Sequence, residues 1–512
     1  MKFKYYICLC FFLATHIVLL SQSISDFVSI SPATQSEQFV IPVTHRFQKI
    51  IEVGDDLTIG QTMPIRPDFT GYVPIANSSV QGFLSINSEA NPGGNTILDI
   101  NFNSTTKLWQ TTNSQATNFL TYTTVRNCSG TVTPWGTIIS SEEASVYEDN
   151  NLDGYNDNGW NVEIDPVNKI ILSKLWAMGN FAHENVTIHP NERTAYQGAD
   201  SNPGYLYKFV ANSPQDLNSG LLYVYSGSKE GTGNWILLDN TTQLERNSTL
   251  AQSLNVGATV FNGIEDVEIG PDGMVYFAVK GENKVYRFQD SDPITGTSLT
   301  METFVGGKTY DIQHLDGTTT VSWGGGNDNL AFDGEGNLWV LQDGVNHYIW
   351  VVESGHTQSS PKVKLFGIAP IGSEPTGITF TPDFNYLFMS IQHPNVLNNA
   401  NQIDAAGNVI SFSKGITMVI ALKGNLGETL SLTEEAIKSN FKIYPNPVHL
   451  LPDLLIEYQG IKNVEVFSIN GQKVFEKRHD NINKTSININ HLESGMYFLQ
   501  INYKDRIKFI VN

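Results

Sequence analysis

One unit, strand then polar turn then strand, recurs along the middle of this chain, and few architectures can absorb it. EDVEIGPDGMVYFAV begins at Glu265, DNLAFDGEGNLWVL at Asp328, ENVTIHPNERTAYQG at Glu184 and EPTGITFTPDFNYLFMS at Glu374. A degenerate fifth copy reads WNVEIDPVNKIILS from Trp160. Each copy alternates apolar and polar residues, turns at Gly, Pro, Asn or Asp, and returns through branched or aromatic residues. Helical periodicity is scarce, so the fold class is all-β. A β-sandwich competes with a propeller, and the similarity between copies favours the propeller.

The copies share a carboxylate. Glu184, Glu265 and Asp328 each stand six residues before the turn residues Pro190, Pro271 and Gly334, and Glu374 stands eight before Pro382. In a propeller the equivalent strand of every blade faces the central channel, so the four acids would converge on one axis. Crowded carboxylates resist ionising together. A multivalent cation removes that cost, and hard cations take oxygen ligands. Taken singly, each acid would instead cap a turn or face solvent.

The formal net charge is −20. From Ala436 onward there are ten Lys/Arg and seven Asp/Glu, so the excess of acid lies in the body of the chain. Such a body argues against nucleic acid as partner and suits cations. Lys2 and Lys4, the apolar run from Tyr5 to Leu20 and Ser21-Gln22-Ser23 read as a signal peptide over residues 1–23, with an uncleaved anchor as the competing reading. No later segment is apolar for long enough to cross a bilayer. Cys8 and Cys10 leave with the signal. Cys128 then remains without a disulfide partner, as a buried bystander, a reactive thiol or a metal ligand.

Composition shifts near Leu422. Residues 423–440 read as a polar linker, and residues 441–512 as short strands and tight turns such as Asn470-Gly471, the pattern of a small C-terminal β-sandwich. Tyr444-Pro445-Asn446-Pro447, Asn470-Gly471-Gln472-Lys473-Val474, Ser494-Gly495-Met496-Tyr497 and Lys508-Phe509-Ile510-Val511 resemble the type A sorting domain of the type IX secretion system. The resemblance implies type IX secretion machinery as a partner, passage through the outer membrane, removal of the tail, and release or surface attachment.

The clearest chemical stretch is NCSGTVTPWGTIISSEEAS, residues 127–145. It sets Cys128 fourteen and fifteen residues before Glu142 and Glu143. With a strand over 137–141, the loop Thr133-Pro134-Trp135-Gly136 folds the thiol back to the strand's end. Thiolate with carboxylates is a mixed soft and hard ligand set, suited to a transition metal beside calcium.

CSGTVTPWGTIISSEE closely resembles the signature of the PhoX-type alkaline phosphatases. GFLSINSEANPGG from Gly82, FAHENVTIHP from Phe181, GYLYKFV from Gly204, FNGIEDVEIGPDG from Phe261, NDNLAFDGEGNLWVLQDG from Asn327 and EPTGITFTPDFNYLFMSIQHP from Glu374 follow in the family's order. The resemblance spans about residues 40–422, within a propeller domain of residues 24–422. It implies a six-bladed β-propeller whose channel holds iron and calcium, and the expected state is a monomer. By motif, Cys128 and Glu143 ligate iron, and Glu89, Glu142, Glu184, Glu265, Asp328 and Glu374 are ligands for iron or calcium. His183, Asp266, Gln392 and His393 are expected to support them. The implied substrate is a small phosphate monoester, with the attacking oxygen drawn from the metal centre. No Gly-rich phosphate loop or serine elbow points elsewhere.

One position departs from the family. Its phosphatases tend to carry Arg two residues before the acid that aligns with Glu265, and here Gly263 stands there. Lys280, Lys208 or His183 could supply the missing charge. The competing function is a secreted propeller that binds calcium alone, as a ligand-binding module or a phosphodiesterase. A further loop, EDNNLDGYNDNGW, spaces Asp149, Asn151, Asp153 and Asp157 like an accessory calcium site, with Trp160 where a bidentate Glu would close it. An Asn/Asp-rich turn explains the same residues.

Overall fold

The computed structural model describes residues 22–144, 148–427, 441–448, 453–468, 472–502 and 505–511. The signal-peptide core, most of the linker and the Asn470-Gly471 turn lie outside the described residues. The chain divides into two compact units, Met1–Thr429 and Leu430–Asn512.

Among the described residues of the first unit strands predominate, with two short α-helices at Gln243–Asn247 and Thr249–Asn255. Three four-stranded antiparallel sheets occupy residues 67–116, 127–174 and 327–368. Residues 183–306 form a nine-stranded sheet, in which Gly231–Leu238 pairs with Ser298–Gly306 to join two antiparallel runs. A further four-stranded sheet unites the two ends of the unit, because His45–Glu52 pairs with Ile416–Leu422 beside Leu387–Gln392 and Glu374–Phe380.

Six strands lie at sheet edges and face one another: β1 (Pro67–Pro74), β2 (Asn127–Val132), β3 (His183–Ile188), β4 (Ile264–Ile269), β5 (Asn327–Phe332) and β6 (Glu374–Phe380). Each neighbours the next, and β6 neighbours β1, so they close a ring. The four clearest sequence repeats are the hairpins that begin with β3 to β6. The fifth behaves differently: Asn161–Asp165 and Ile170–Lys174 are the two outer strands of their sheet. Its Glu163 therefore accepts hydrogen bonds from Trp135 Nε1 at 2.9 Å and Thr137 Oγ1 at 2.6 Å, away from the ring.

Local chemistry explains the hairpins. Asp333 Oδ1 accepts the N–H groups of Glu335 and Asn337, which fixes the turn, while its Oδ2 accepts Trp339 Nε1 at 2.9 Å. Between sheets the packing is aromatic. Tyr72 stacks on Phe388 with centroids 5.7 Å apart, and Trp109 meets Phe388 edge-on at 5.0 Å.

All six ring strands carry a β-bulge, five of them immediately after the first residue. A bulge leaves backbone groups unpaired and turns side chains out of the regular alternation. Side chains from neighbouring strands supply the lost bonds. Asp266 Oδ2 accepts Leu330 N–H at 2.6 Å, Asn329 Oδ1 accepts Gly377 N–H at 2.5 Å, and Asn87 Nδ2 donates to the carbonyls of Cys128 and Ser129 at 2.9 Å.

The described residues of the second unit form one five-stranded antiparallel sheet. Its two long strands, Asp453–Ser468 and Lys473–Asn488, shift register at three places. Leu454, Ile456, Val464, Val466, Leu499 and Phe509 make its core. Among the described residues, no helix is long and apolar enough to cross a membrane.

Candidate metal centre

Two tiers of side chains meet where the six ring strands begin. Five members of the first come from the bulges, and the sixth opens its strand in regular register. Asp68, Cys128, Glu184, Glu265 and Asp328 are each the second residue of β1 to β5, and Glu374 is the first residue of β6. All six are buried. The second tier is the residue directly after the second strand of each hairpin: Glu89, Glu143, Asp200, Lys280, Asp343 and His393. Both tiers, with Arg66 and Arg126, line one cavity of about 200 Å³.

Nine carboxylates and a thiol thus share a cavity with three cationic side chains and a histidine. Ligand atoms lie within 4.8 Å of one another in four overlapping groups: Asp68, Glu89 and Cys128; Cys128, Glu143 and Glu184; Glu184, Glu265 and Asp328; Asp328, Asp343 and Glu374. They trace a continuous path of potential donors around the cavity. The Cys128 thiol contacts Glu184 Oε1 at 2.9 Å and Asp68 Oδ2 at 3.4 Å.

Without cations the cluster must hold protons. Burial, then the charges of Glu89 and Glu374, pushes Asp68 up to about 8. Burial raises Glu143 to about 9 even though Arg126 opposes it, and raises Glu374 to about 7. Burial and neighbouring acids drive Glu184, Glu265 and Asp328 well above the carboxylate range, and Cys128 well above the usual thiol value. Multivalent ions would relieve this repulsion, and the donor set fits them: oxygen for hard cations, sulfur for a softer one.

Supporting groups surround the donors. Gln392 Nε2 donates to Asp68 Oδ2 at 2.8 Å, and Thr376 Oγ1 to Asp68 Oδ1 at 2.7 Å. Arg126 donates through Nε and Nη2 to Glu89 Oε1 at 3.1 and 3.0 Å and also pairs with Glu143. Arg66 reaches Glu89 at 3.5 Å. His393 Nε2 lies 3.4 Å from Glu374, a contact that raises the imidazole to about 9.

Several expected residues lie elsewhere. Glu142 is the last residue of the strand that ends before Glu143, and successive strand residues point to opposite faces. Its carboxylate is fully buried, 3.0 Å from Lys174 Nζ, and accepts the N–H groups of Val125 and Trp160. The structure does not bring it to the cluster. His183 stacks on Phe181 at 3.6 Å, with Nε2 donating to the Gly179 carbonyl and Nδ1 accepting from Asn161, and burial lowers it to about 3. It is a neutral core imidazole. Asp266 supports the ring by joining β4 to β3 and β5. Lys208 pairs with Asp290 at 2.7 Å, outside the cavity.

The accessory loop spends its acids on itself. Asp149 accepts the N–H groups of Asp153 and Gly154, Asn151 Nδ2 donates to Asp153, and Asp157 accepts from Asn150 N and Nδ2. Among the described residues these acids form no metal-ligating group of three. The loop has the bonding of an Asx-rich turn.

The family model described as alkaline phosphatase PhoX matches residues 103–395, more than half of the chain. The chain belongs to the PhoX alkaline phosphatase family. Membership supports a phosphatase-type hydrolase. A secretion system C-terminal sorting domain matches residues 442–512, which implies interaction with the type IX secretion system. Among solved structures, PhoX from Pseudomonas fluorescens in complex with vanadate superposes with a TM-score of 0.62 at 19% identity, covering 78% of this chain and 98% of that one. That likeness shows a PhoX-like propeller fold. A catalytically inactive virginiamycin B lyase from Staphylococcus aureus reaches a TM-score of 0.36 at 12% identity, covering 74% and 99% of the two chains. A 6-phosphogluconolactonase-like protein from Bacteroides uniformis reaches 0.37 at 12%, covering 70% and 87%. No curated protein matches.

Around this cavity, sequence reasoning missed Asp68, Asp200, Asp343, Arg66 and Arg126. Asp68 had a faint signal, because Asp68-Phe69-Thr70-Gly71 shares its acid-x-Thr-Gly pattern with Glu374-Pro375-Thr376-Gly377. Gly263 has φ +75°, and a Cβ there would lie 2.6 Å from Asp200 Oδ1, so Asp200 fills the space a side chain would need.

Proposed function

We propose that this chain is an exported phosphomonoesterase that works at an iron and calcium cluster held by the two tiers. The six ring strands are read as the inner strands of a six-bladed propeller, and the tail sheet as a small folded-over sandwich. The working unit is read as a monomer. After loss of signal and tail, the protein would be released or held at the outer surface.

The observation that carries this reading is Cys128. A lone thiol occupies one place in a tier otherwise made of carboxylates, 2.9 Å from one of them. Calcium has no use for a thiolate, whereas iron does. Cys128, Glu143 and Glu184 would hold iron, and the acids from Glu265 round to Glu89 would hold calcium. When bound, the ions would supply Lewis acidity and neutralise charge developing on the departing oxygen. The chain's own part is to orient the donors. Gln392 and Thr376 fix Asp68, Arg126 and Arg66 fix Glu89, and burial keeps bulk water from the first tier. The vanadate bound by the Pseudomonas fluorescens neighbour is described as a transition state analogue, which is consistent with phosphoryl transfer in that protein.

The test is metal analysis of the mature chain and its Cys128→Ala variant, followed by hydrolysis of an aryl phosphate with and without vanadate. Iron and calcium in the parent, loss of iron in the variant and vanadate-sensitive turnover support the proposal. Calcium without iron, and no turnover, would leave a calcium-bearing binding propeller.

A further inference from the structure

The second tier changes chemistry at its fourth place. Four of its members are carboxylates and His393 is an imidazole, but Lys280 is a cation. Its Nζ lies 3.1 Å from Glu265 Oε1 and 3.7 Å from Asp343 Oδ2. The side chain is 38% exposed, whereas Glu265 is 2% exposed, so the ammonium sits on the solvent side of the first tier. Its backbone is fixed, because Lys280 N–H donates to the Gly263 carbonyl at 3.0 Å. With Asp200 occupying the space beside Gly263, no side chain from that residue competes for the position.

A second cation lines the same cavity. Arg126 joins Glu89 and Glu143, across the boundary between the sheets of β1 and β2. Lys280 joins Glu265 and Asp343, across the boundary between those of β4 and β5. In a closed ring of six strands these boundaries lie opposite each other. The carboxylates that pair with both cations are also the donors that ions would claim. Ion binding would therefore leave both cations with charge to spare at the mouth of an anionic cavity.

We propose that Lys280 grips the phosphoryl group of the substrate, with Arg126 as the contact on the opposite side. This rests on the phosphatase reading and adds the residues that recognise the substrate's charge. Lys280 acts as a compact point charge, and Arg126 as a planar fork.

The experiment compares the metal-loaded parent with Lys280→Met and Lys280→Arg. Inorganic phosphate binding is measured by calorimetry, metal content by elemental analysis, and kcat and KM on an aryl phosphate. Lys280→Met should keep its metal content and weaken phosphate binding roughly 10- to 100-fold, with a matching rise in KM. Lys280→Arg should recover most of both. If Lys280→Met does not fold, Lys280→Gln carries the same comparison. Unchanged phosphate binding overturns the proposal, as does a gain of one metal equivalent with binding intact, which would make Lys280 a stand-in for an ion. A parent that binds phosphate through Lys280 but does not hydrolyse the ester would sink the phosphatase reading alone. A parent that hydrolyses with Lys280→Met unaffected would sink the Lys280 proposal alone. A parent that neither binds phosphate nor hydrolyses the ester would sink both.

Discussion

Glu142 and Glu143 are neighbours in sequence with opposite duties. One neutralises Lys174 in the core and the other lines the cavity. Glu142→Ala would leave a buried ammonium and two backbone N–H groups without their partner, at a cost of about 3–5 kcal/mol. Chemical denaturation should register that loss, while metal content per folded molecule stays at the parent level. The cavity acids make a different prediction. In metal-free protein Asp68, Glu143 and Glu374 keep their protons up to about 8, 9 and 7. Unfolded carboxyls lose theirs near pH 4. Between those limits the folded chain binds more protons, so stability falls as pH rises. Melts in excess chelator should give a higher Tm at pH 5 than at pH 8, and adding calcium and iron at pH 8 should remove the deficit. A chelated protein equally stable at both values would mean that these acids do not share a dry cavity.

The bulges set what could be seen in the sequence. Glu184, Glu265 and Asp328 were legible because each opens a similar hairpin at the same spacing. Asp68 was faint by comparison, since its hairpin shares only the short acid-x-Thr-Gly pattern with that of Glu374. The second tier was harder still. Its members are Glu, Glu, Asp, Lys, Asp and His, with no common type, and what unites them is their place after a strand whose end only pairing reveals. Chemistry repeated in one tier, and geometry alone repeated in the other. Trp160's segment misled for the converse reason: outer hairpins follow the same alternation as inner ones. One glycine tests the ring itself. Gly377 has φ +53°, and a Cβ there would lie 2.3 Å from the Asp68 carbonyl and 2.5 Å from Thr70 N. Gly377→Ala should lower the Tm, with a backbone cost of about 1–3 kcal/mol, and lower metal occupancy with it, because the forced shift falls on Asp68. Calorimetry paired with elemental analysis would show the two falling together.

At the scale of the molecule, ions and fold are linked. Each ion that binds only the folded state adds about 2.7 kcal/mol at a free concentration of 100 times its Kd. Thermal midpoints should therefore rise with added calcium, and a chelator should lower them steeply. The pairing of His45–Glu52 with Ile416–Leu422 has a consequence in time. Sheets made of consecutive strands can form as the chain leaves the ribosome, but this one waits for almost the last residues of its unit. Until then β6 has no complete sheet behind it, and the donors cannot all face one another. A nascent or truncated chain is thus a poor metal trap. Occupancy becomes a record that the chain has been made at least as far as Leu422, written only once both ends of the first unit are present.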